Sequence, residues 1–242
     1  MNYTYKTISK VGLIRTENED SLGVFKFDNG LLAIVCDGLG GNNAGEVASQ
    51  LAVDTIYNHF SNSLNENYIE RIEASVYEAN KTIYQKSISN SDLRGMSTTS
   101  EVLFLKDGTA FLGHIGDSRI YMFANNDLTQ LTKDHSFVQR LVDEGVLSED
   151  EAGFHPNKNI ITRALGDSIP IDVDLYSSDL EQEENILFFI STDGVHGVID
   201  NKELQEIFRS KDDLNNISDE ISGLIEGRGA PDNYSFVLIK IL

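Results

Sequence analysis

The chain has 242 residues, 40% hydrophobic and 24% charged, an ordinary composition for a soluble globular protein, and its length allows one large domain or two small ones. Thirty-nine acidic residues against nineteen basic ones give a net charge of −20, which argues against nucleic acid and anionic membranes, because both are bound through basic patches. A single cysteine excludes an internal disulfide, the N-terminal Met-Asn-Tyr-Thr-Tyr-Lys lacks the apolar core of a signal peptide, and no apolar run approaches the ~20 residues of a membrane span, so a reducing cytoplasm is the expected setting.

Ser21–Phe27 and Leu31–Cys36 read as a hairpin through Asp28-Asn29-Gly30, a turn chemistry that tolerates positive φ. Helical spacing follows: Ala44, Val47, Ala48, Leu51, Ala52, Ile56 and Phe60 share one face, and Ile69, Ile72, Val76, Ala79 and Ile83 share the face of a second helix. From Thr98 to Leu131, short apolar runs broken at Asp107-Gly108, Asp117-Ser118 and Asn125-Asn126 predict an antiparallel meander. A helix is expected near Phe137–Glu144, and Ser148 to Glu151 reads as a capping box in a polar segment that reaches Asn159. Ile186–Ile190 predicts a strand, Lys202–Phe208 a helix, Leu214, Ile217, Ile221 and Leu224 another, and Tyr234–Ile241 a closing strand. The acidic runs at Glu181-Gln182-Glu183-Glu184 and Asp212-Asp213 read as solvated faces or turns. Strands and helices come in blocks, which favours antiparallel sheets with helices stacked outside, and without linkers or repeats one domain is expected over residues 1–242.

Four apolar runs end beside an aspartate: Leu31–Cys36 before Asp37-Gly38, Thr109–Ile115 before Gly116-Asp117, Ile186–Ile190 before Ser191-Thr192-Asp193-Gly194, and Tyr234–Ile241 after Asp232-Asn233. If the runs are buried strands, their ends can gather carboxylates whose repulsion calls for a cation between them, and oxygen donors suit Mg²⁺ or Mn²⁺ rather than zinc. Each dipeptide alone is better read as a turn, as Asp107-Gly108 certainly is. Gly38–Gly41 is followed by no Lys-Ser/Thr, so a nucleotide loop is set aside; Cys36 reads as core, and the five histidines lack zinc spacing.

What joins these aspartates is their order along the chain. Arg15-x-x-Asn18-Glu19-Asp20, Asp37-Gly38-x-Gly40-Gly41, Gly95-Met96-x-Thr98-Thr99, Gly116-Asp117-Ser118-Arg119, Ile161-Thr162-Arg163-Ala164-Leu165-Gly166, Ser191-Thr192-Asp193-Gly194 and Asp232-Asn233 together resemble the metal-dependent serine/threonine protein phosphatases of type 2C, bacterial members in particular. The resemblance covers residues from about 9 to 241. It implies an α+β fold, a central sandwich of two antiparallel sheets flanked by helices on both sides, with two or three Mn²⁺ or Mg²⁺ ions in a cleft at one end.

The resemblance also assigns roles. Asp37 would bridge two ions with the Gly38 carbonyl on one of them, Asp193 and Asp232 would complete the other, and Asp117 with Asp193 would make a weaker third site. Glu19 and Asp20 would act through metal-bound water, Arg15 would hold the substrate phosphate, and Thr98, Thr99 and Asn233 would support the site. Two ions ~3.5–4 Å apart can lower the pKa of a shared water toward ~7 and aim it at phosphorus, so direct hydrolysis without a phosphoenzyme is expected. The expected partners are phosphorylated proteins and a cognate serine/threonine kinase, with the chain a monomer.

Departures are few. Leu39 stands where eukaryotic members carry the histidine proposed to protonate the leaving group, so that proton must come from elsewhere, such as a metal-bound water. Ser97 replaces a usual glycine, and His196, three residues after Asp193, reads as a satisfied histidine near the cleft. The polar segment Asp143–Asn159 lies where the family has a mobile flap near 143–160. A metal-binding module without activity and a small-molecule phosphoesterase are the competing readings, which phosphopeptides compared with nucleotides and sugar phosphates would separate.

Overall fold

The computed structural model describes residues 2–28, 30–39, 44–180 and 183–242. An edge strand, β1 (Tyr3–Lys10), precedes the expected hairpin of β2 (Ser21–Phe27) and β3 (Gly30–Cys36). After the two-residue strand β4 (Gly38–Leu39) come α1 (Ala44–Asn62) and α2 (Tyr68–Ser89), the latter started by the Asn67 side chain, which accepts from the Ile69 and Glu70 N–H groups. Next follow β5 (Ser97–Thr98), β6 (Ser100–Lys106), β7 (Thr109–Ile115), β8 (Arg119–Ala124) and β9 (Asp127–Gln130). The rest of the chain forms α3 (Phe137–Asp143), α4 (Glu149–Phe154), β10 (Asp174–Asp179), β11 (Leu187–Ser191), α5 (Asp193–His196), α6 (Asn201–Ser210), α7 (Leu214–Gly227) and β12 (Tyr234–Ile241).

Two five-stranded antiparallel sheets stack face to face, in the orders β1-β12-β11-β8-β9 and β10-β7-β6-β3-β2. Leu31, Ala33 and Val35 of β3 meet Phe188, Ile190, Val237 and Ile239 of the opposite sheet. The alternate residues of β3, Leu32 and Ile34, point the other way onto Ala48, Ala52 and Ile56 of α1 and Ile72 and Val76 of α2. On the far side, Phe189 and Phe236 pack under Leu204 and Phe208 of α6 and Ile221 of α7. Central strands are therefore covered on both faces, which is why they read as unbroken apolar runs rather than as alternations. The four-layer α-β-β-α arrangement is the expected one.

Pairing register brings the acidic segments to one end. Ser21 pairs with Cys36, Val35 with Glu101 and Ser100 with Ile115 in one sheet; in the other, Ser191 pairs with Arg119 and Phe236, and Lys10 with Tyr234. Residues 11–20, 37–39, 116–118, 192–193 and 232–233 thus all leave their strands at the same edge of the sandwich.

Several expectations need correction. The stretch from Thr98 to Leu131 is not one meander: β6 and β7 form a hairpin in one sheet, and the chain crosses at Gly116-Asp117-Ser118 to form the β8–β9 hairpin in the other. Strands β1 and β10 were unforeseen. Both are edge strands with polar, half-exposed sequences, YTYKTISK and DLYSSD, which need little apolar surface because only one side is paired. The Ser148–Glu151 capping box is present, opening α4. Asp213 caps α7, consistent with Asp212-Asp213 as a solvated turn. Asn29, Gly40, Gly41, Glu181 and Gln182, which figured in sequence expectations, lie outside the described residues.

The burial contrast gives a stability test. Phe236 is fully buried in β12, whereas Phe154 at the end of α4 is 92% exposed. Phe236→Ala is expected to cost about 3–5 kcal/mol in urea unfolding through the cavity it leaves, while Phe154→Ala changes the unfolding free energy by no more than about 0.5 kcal/mol.

Candidate metal centre

Asp37 sits directly after β3, and its backbone is pinned from the neighbouring strand. Its N–H donates to Thr99 Oγ1 at 2.8 Å, while its carbonyl accepts from the Thr98 hydroxyl at 2.8 Å and the Thr99 N–H at 2.9 Å. The Thr99 hydroxyl also meets Ser118 Oγ at 2.8 Å, tying the Asp37 strand end to the turn that carries Asp117. Thr98 and Thr99 therefore hold the backbone that aims Asp37.

Gly38 follows in a space that admits no side chain. A Cβ there would stand 2.3 Å from the Gly45 carbonyl oxygen and 2.5 Å from that of Glu19. This close approach lets the Gly38 N–H donate to the Glu19 carbonyl at 3.1 Å and brings the start of α1 against the loop. The same Glu19 carbonyl accepts from Ser49 of α1, and the Glu19 carboxylate accepts from the Gly45 N–H.

The loop before β2 is held from the far end of the chain. Asn233 accepts from the Glu19 N–H at 2.9 Å and donates to the carbonyls of Val11 and Glu17 at 2.9 and 2.8 Å. Asp232 accepts from Arg15 Nη2 at 2.8 Å on one oxygen and from the Asn233 N–H at 2.8 Å on the other. Arg15 remains about half exposed, so its other donors face solvent. Asp20 is buried, with Oδ2 accepting the Thr192 hydroxyl at 3.0 Å. Thr192, just after β11, and Ser235 of β12, whose hydroxyls stabilise Asp20, are additional site residues; a threonine or serine in or beside a strand carries no sequence signal that it will face a carboxylate 172 or more positions away.

The electrostatics follow from this gathering. Asp20 and Asp117 are buried, while Asp37, Asp193 and Asp232 keep an edge to solvent. Burial pushes Asp37 well above the usual carboxylate range, and Asp20, Asp193, Asp117 and Asp232 push it further. Asp20 is raised to about 7 by burial, with Asp193 and Asp232 adding to the effect and the Ser235 and Thr192 hydroxyls opposing it. Asp117 is also raised to about 7, by burial first and then by Asp193 and Asp134. Asp193 is raised by burial and Asp232, offset by a hydrogen bond to Asp37 and by the charge of Arg15. Glu19 is raised by burial, against the pull of Arg15 and the Gly45 N–H.

Among the described residues, no three His, Cys, Asp or Glu side chains stand in ready coordination geometry. Asp37 and Asp193 instead approach within hydrogen-bonding reach, the way two carboxyls relieve repulsion with a proton. The donor set nevertheless fits a hard cation. It is all oxygen, it is strongly acidic, and Asp117 Oδ1 is buried with no partner, because Arg119 is taken by Asp134 in a bidentate pair at 2.8 and 2.7 Å. His196 differs from its expected satisfied state: Nδ1 is buried without a partner, and burial together with Arg119 pushes its pKa well down, so the ring is neutral. Leu39 is half buried in β4, opposite Ser97.

Comparison with known proteins agrees with this arrangement. The profile of the protein phosphatase 2C family matches residues 15–230. The serine/threonine phosphatase stp of Listeria monocytogenes is 35% identical over 234 residues, covering 95% of this chain and 92% of that protein. The crystal structure of the serine/threonine phosphatase Stp1 from Staphylococcus aureus superposes with a TM-score of 0.93 at 28% identity, covering all of this chain and 96% of that one. The catalytic domain of the serine/threonine protein phosphatase PstP, solved in complex with two manganese ions, superposes with a TM-score of 0.87 at 30% identity, covering 99% of this chain and 98% of that one. With the family profile spanning most of its length, the chain belongs to the protein phosphatase 2C family and is a metal-dependent serine/threonine protein phosphatase.

Proposed function

We propose that residues 1–242 form one catalytic domain in which Asp37, Asp193 and Asp232, with the Gly38 carbonyl, hold two Mn²⁺ or Mg²⁺ ions, and that Asp117 with Asp193 holds a third. The observation that carries this reading is the set of mutually repelling carboxylates at one edge of the sandwich, with Asp117 Oδ1 buried and unpartnered. Bound there, such ions supply a water acidic enough to attack at neutral pH and the positive charge that screens a phosphate dianion.

The remaining tasks fall to the chain's own residues. Arg15 has one Nη on Asp232 and its other donors in solvent, so it can place them on phosphate oxygens while Asp232 fixes its direction. Glu19 and Asp20 orient water rather than touch the ions: Asp20 is already committed to the Thr192 hydroxyl and Glu19 to the Gly45 N–H. Leu39 offers no proton, so the leaving serine or threonine oxygen takes its proton from water in the cleft.

The segment 143–160 acts as a flap that selects the peptide around the phosphoresidue. It runs from the end of α3 through α4 and exposes the apolar side chains of Val146, Phe154 and Ile160. Among the described residues, no helix is long and apolar enough to cross a membrane. We infer a cytoplasmic monomer that opposes a serine/threonine kinase on shared phosphoprotein substrates.

Three measurements bear on these assignments. Metal-stripped protein is expected to be inactive toward p-nitrophenyl phosphate and phosphothreonine peptides until Mn²⁺ or Mg²⁺ is returned, and Asp37→Asn, Asp193→Asn and Asp232→Asn should each lower kcat by several orders of magnitude; full activity in excess chelator would overturn the metal reading. Shortening the segment 143–160 should alter phosphopeptide turnover more than p-nitrophenyl phosphate turnover, and equal effects would argue against a selecting flap. Asp117→Ala is expected to fold, to bind two ions in calorimetric titration and to lose much of its phosphoprotein activity, whereas wild-type turnover with a third ion retained would refute its role.

A further inference from the structure

Behind Asp117 runs a buried polar chain that the metal centre does not use. Glu101 of β6 and His114 of β7 are fully buried cross-strand neighbours, with His114 Nδ1 2.6 Å from Glu101 Oε1. The other nitrogen of His114 lies 2.8 Å from the Lys133 carbonyl, which can only accept, so Nε2 carries a hydrogen and donates it. The ring of His114 in turn packs against that of His135, with centroids 4.4 Å apart.

His135 is gripped on two sides. Its backbone N–H donates to the Gly116 carbonyl at 2.7 Å, and its Nδ1 accepts from the Gly116 N–H at 3.1 Å, so main chain and ring together hold both polar groups of one residue. On the other side the His135 carbonyl accepts from the Thr162 N–H at 2.7 Å. Because Nδ1 accepts, the ring hydrogen sits on Nε2, which lies 3.3 Å from Asp174 Oδ2, too far off line for a full hydrogen bond. Asp174 also receives Arg163 Nη1 at 2.7 Å.

The two sides lead to different parts of the molecule. Gly116 carries Asp117, and its φ of +114° is one that glycine alone adopts readily; a Cβ would meet Thr99 Cγ2 at 2.5 Å. A glycine has little intrinsic preference for the conformation it is in, so the direction of the following aspartate must be fixed by outside contacts. Thr162 closes the neck of the segment 137–160. Ser136 bridges to Ile161, and the Phe137 N–H donates to the Ile160 carbonyl at 2.8 Å, so the segment enters and leaves beside the His135–Thr162 bond.

We propose that His135 is a positioning residue, which locks the Gly116-Asp117 turn and the neck of segment 137–160 into one body so that the Asp117 carboxylate and a substrate contacting that segment are held in register. The consequence for turnover rests on the metal-dependent phosphatase reading, but the clamp itself does not. A buried histidine that merely fills space would support the fold evenly, without linking these two segments in particular.

Amide hydrogen exchange on the full-length metal-stripped protein tests the clamp without relying on activity. In His135→Ala, which keeps the main-chain bonds to Gly116 and Thr162 but loses the ring acceptor, exchange at residues 116–118 should rise about threefold to tenfold, the effect of losing one net hydrogen bond, exchange at 162–163 should rise with it because both segments hang on the main chain of residue 135, and Phe236–Ile239 should stay at the wild-type rate. His135→Asn keeps a side-chain acceptor near the Gly116 N–H and should return residues 116–118 toward wild-type protection. With Mn²⁺ restored, the KM of His135→Ala for a phosphothreonine peptide should rise by about tenfold while its KM for p-nitrophenyl phosphate changes less than about twofold, with the asparagine variant recovering part of the loss. Unchanged exchange at both segments, a uniform rise that includes Phe236–Ile239, or no recovery in His135→Asn would overturn the proposal. A wild-type protein inactive with every metal would count against the enzymatic reading alone, because the exchange measurements would still decide the clamp.

Discussion

Repulsion among partly desolvated carboxylates is the constraint on which this structure turns. Asp37 is disfavoured as an anion by its own burial and by Asp20, Asp193, Asp117 and Asp232 around it. No stability argument accounts for such a group, because each additional acid makes the folded state worse unless a proton or a cation neutralises it. The fold tolerates the arrangement because the cost is local and the support is rigid. The acids ride on the ends of strands whose both faces are buried, and a strand in that position cannot shift without breaking the cores on either side.

The groups that hold the acids in place are mostly neutral. Thr98 and Thr99 bond the backbone of Asp37, Thr192 and Ser235 stabilise Asp20, and Asn233 ties down the loop that ends in Glu19. Hydroxyls and amides orient a carboxylate without cancelling its charge, so the charge stays available to a cation. The cationic side chains are placed differently. Arg119 is consumed by Asp134 away from the cleft, and Arg15 alone among the residues discussed stands at its rim, half exposed, on Asp232. This division, negative charge inside and one guanidinium at the edge, suits a site for metal and phosphate together.

The link between the cleft and the 137–160 segment is likewise a matter of backbone. Gly116 is free to take a conformation that other residues resist, and that freedom is removed by His135 through two hydrogen bonds at once. The buried Glu101–His114 pair supports His135 from behind. Burial pushes Glu101 up to about 8 against the pull of His114, so the two groups hold one proton between them and stay neutral overall. Removing either partner would leave a polar group stranded in the core, which makes the pair a rigid backing for the clamp.

The central elements and the strand-end positions of the aspartates were legible in the amino-acid sequence for physical reasons. Strands such as β3 and β12 must be apolar on both faces when both are covered, helices α1 and α2 must repeat their apolar face every turn, and an aspartate beside glycine or asparagine at the end of such a run marks where the chain leaves the core. Seven short motifs in one order then tied those ends to a single chemistry. What only the tertiary structure decided were the relations between distant segments: that β6–β7 and β8–β9 lie in different sheets, that polar β1 and β10 close the edges, that Asp232 takes Arg15, that Thr192 faces Asp20, and that His135 holds Gly116. Each depends on a meeting of segments that local pattern does not link, 217 positions apart in the case of Arg15 and Asp232. Periodicity and turn chemistry act over a few residues, so they place the ends of elements but carry no record of which ends will meet.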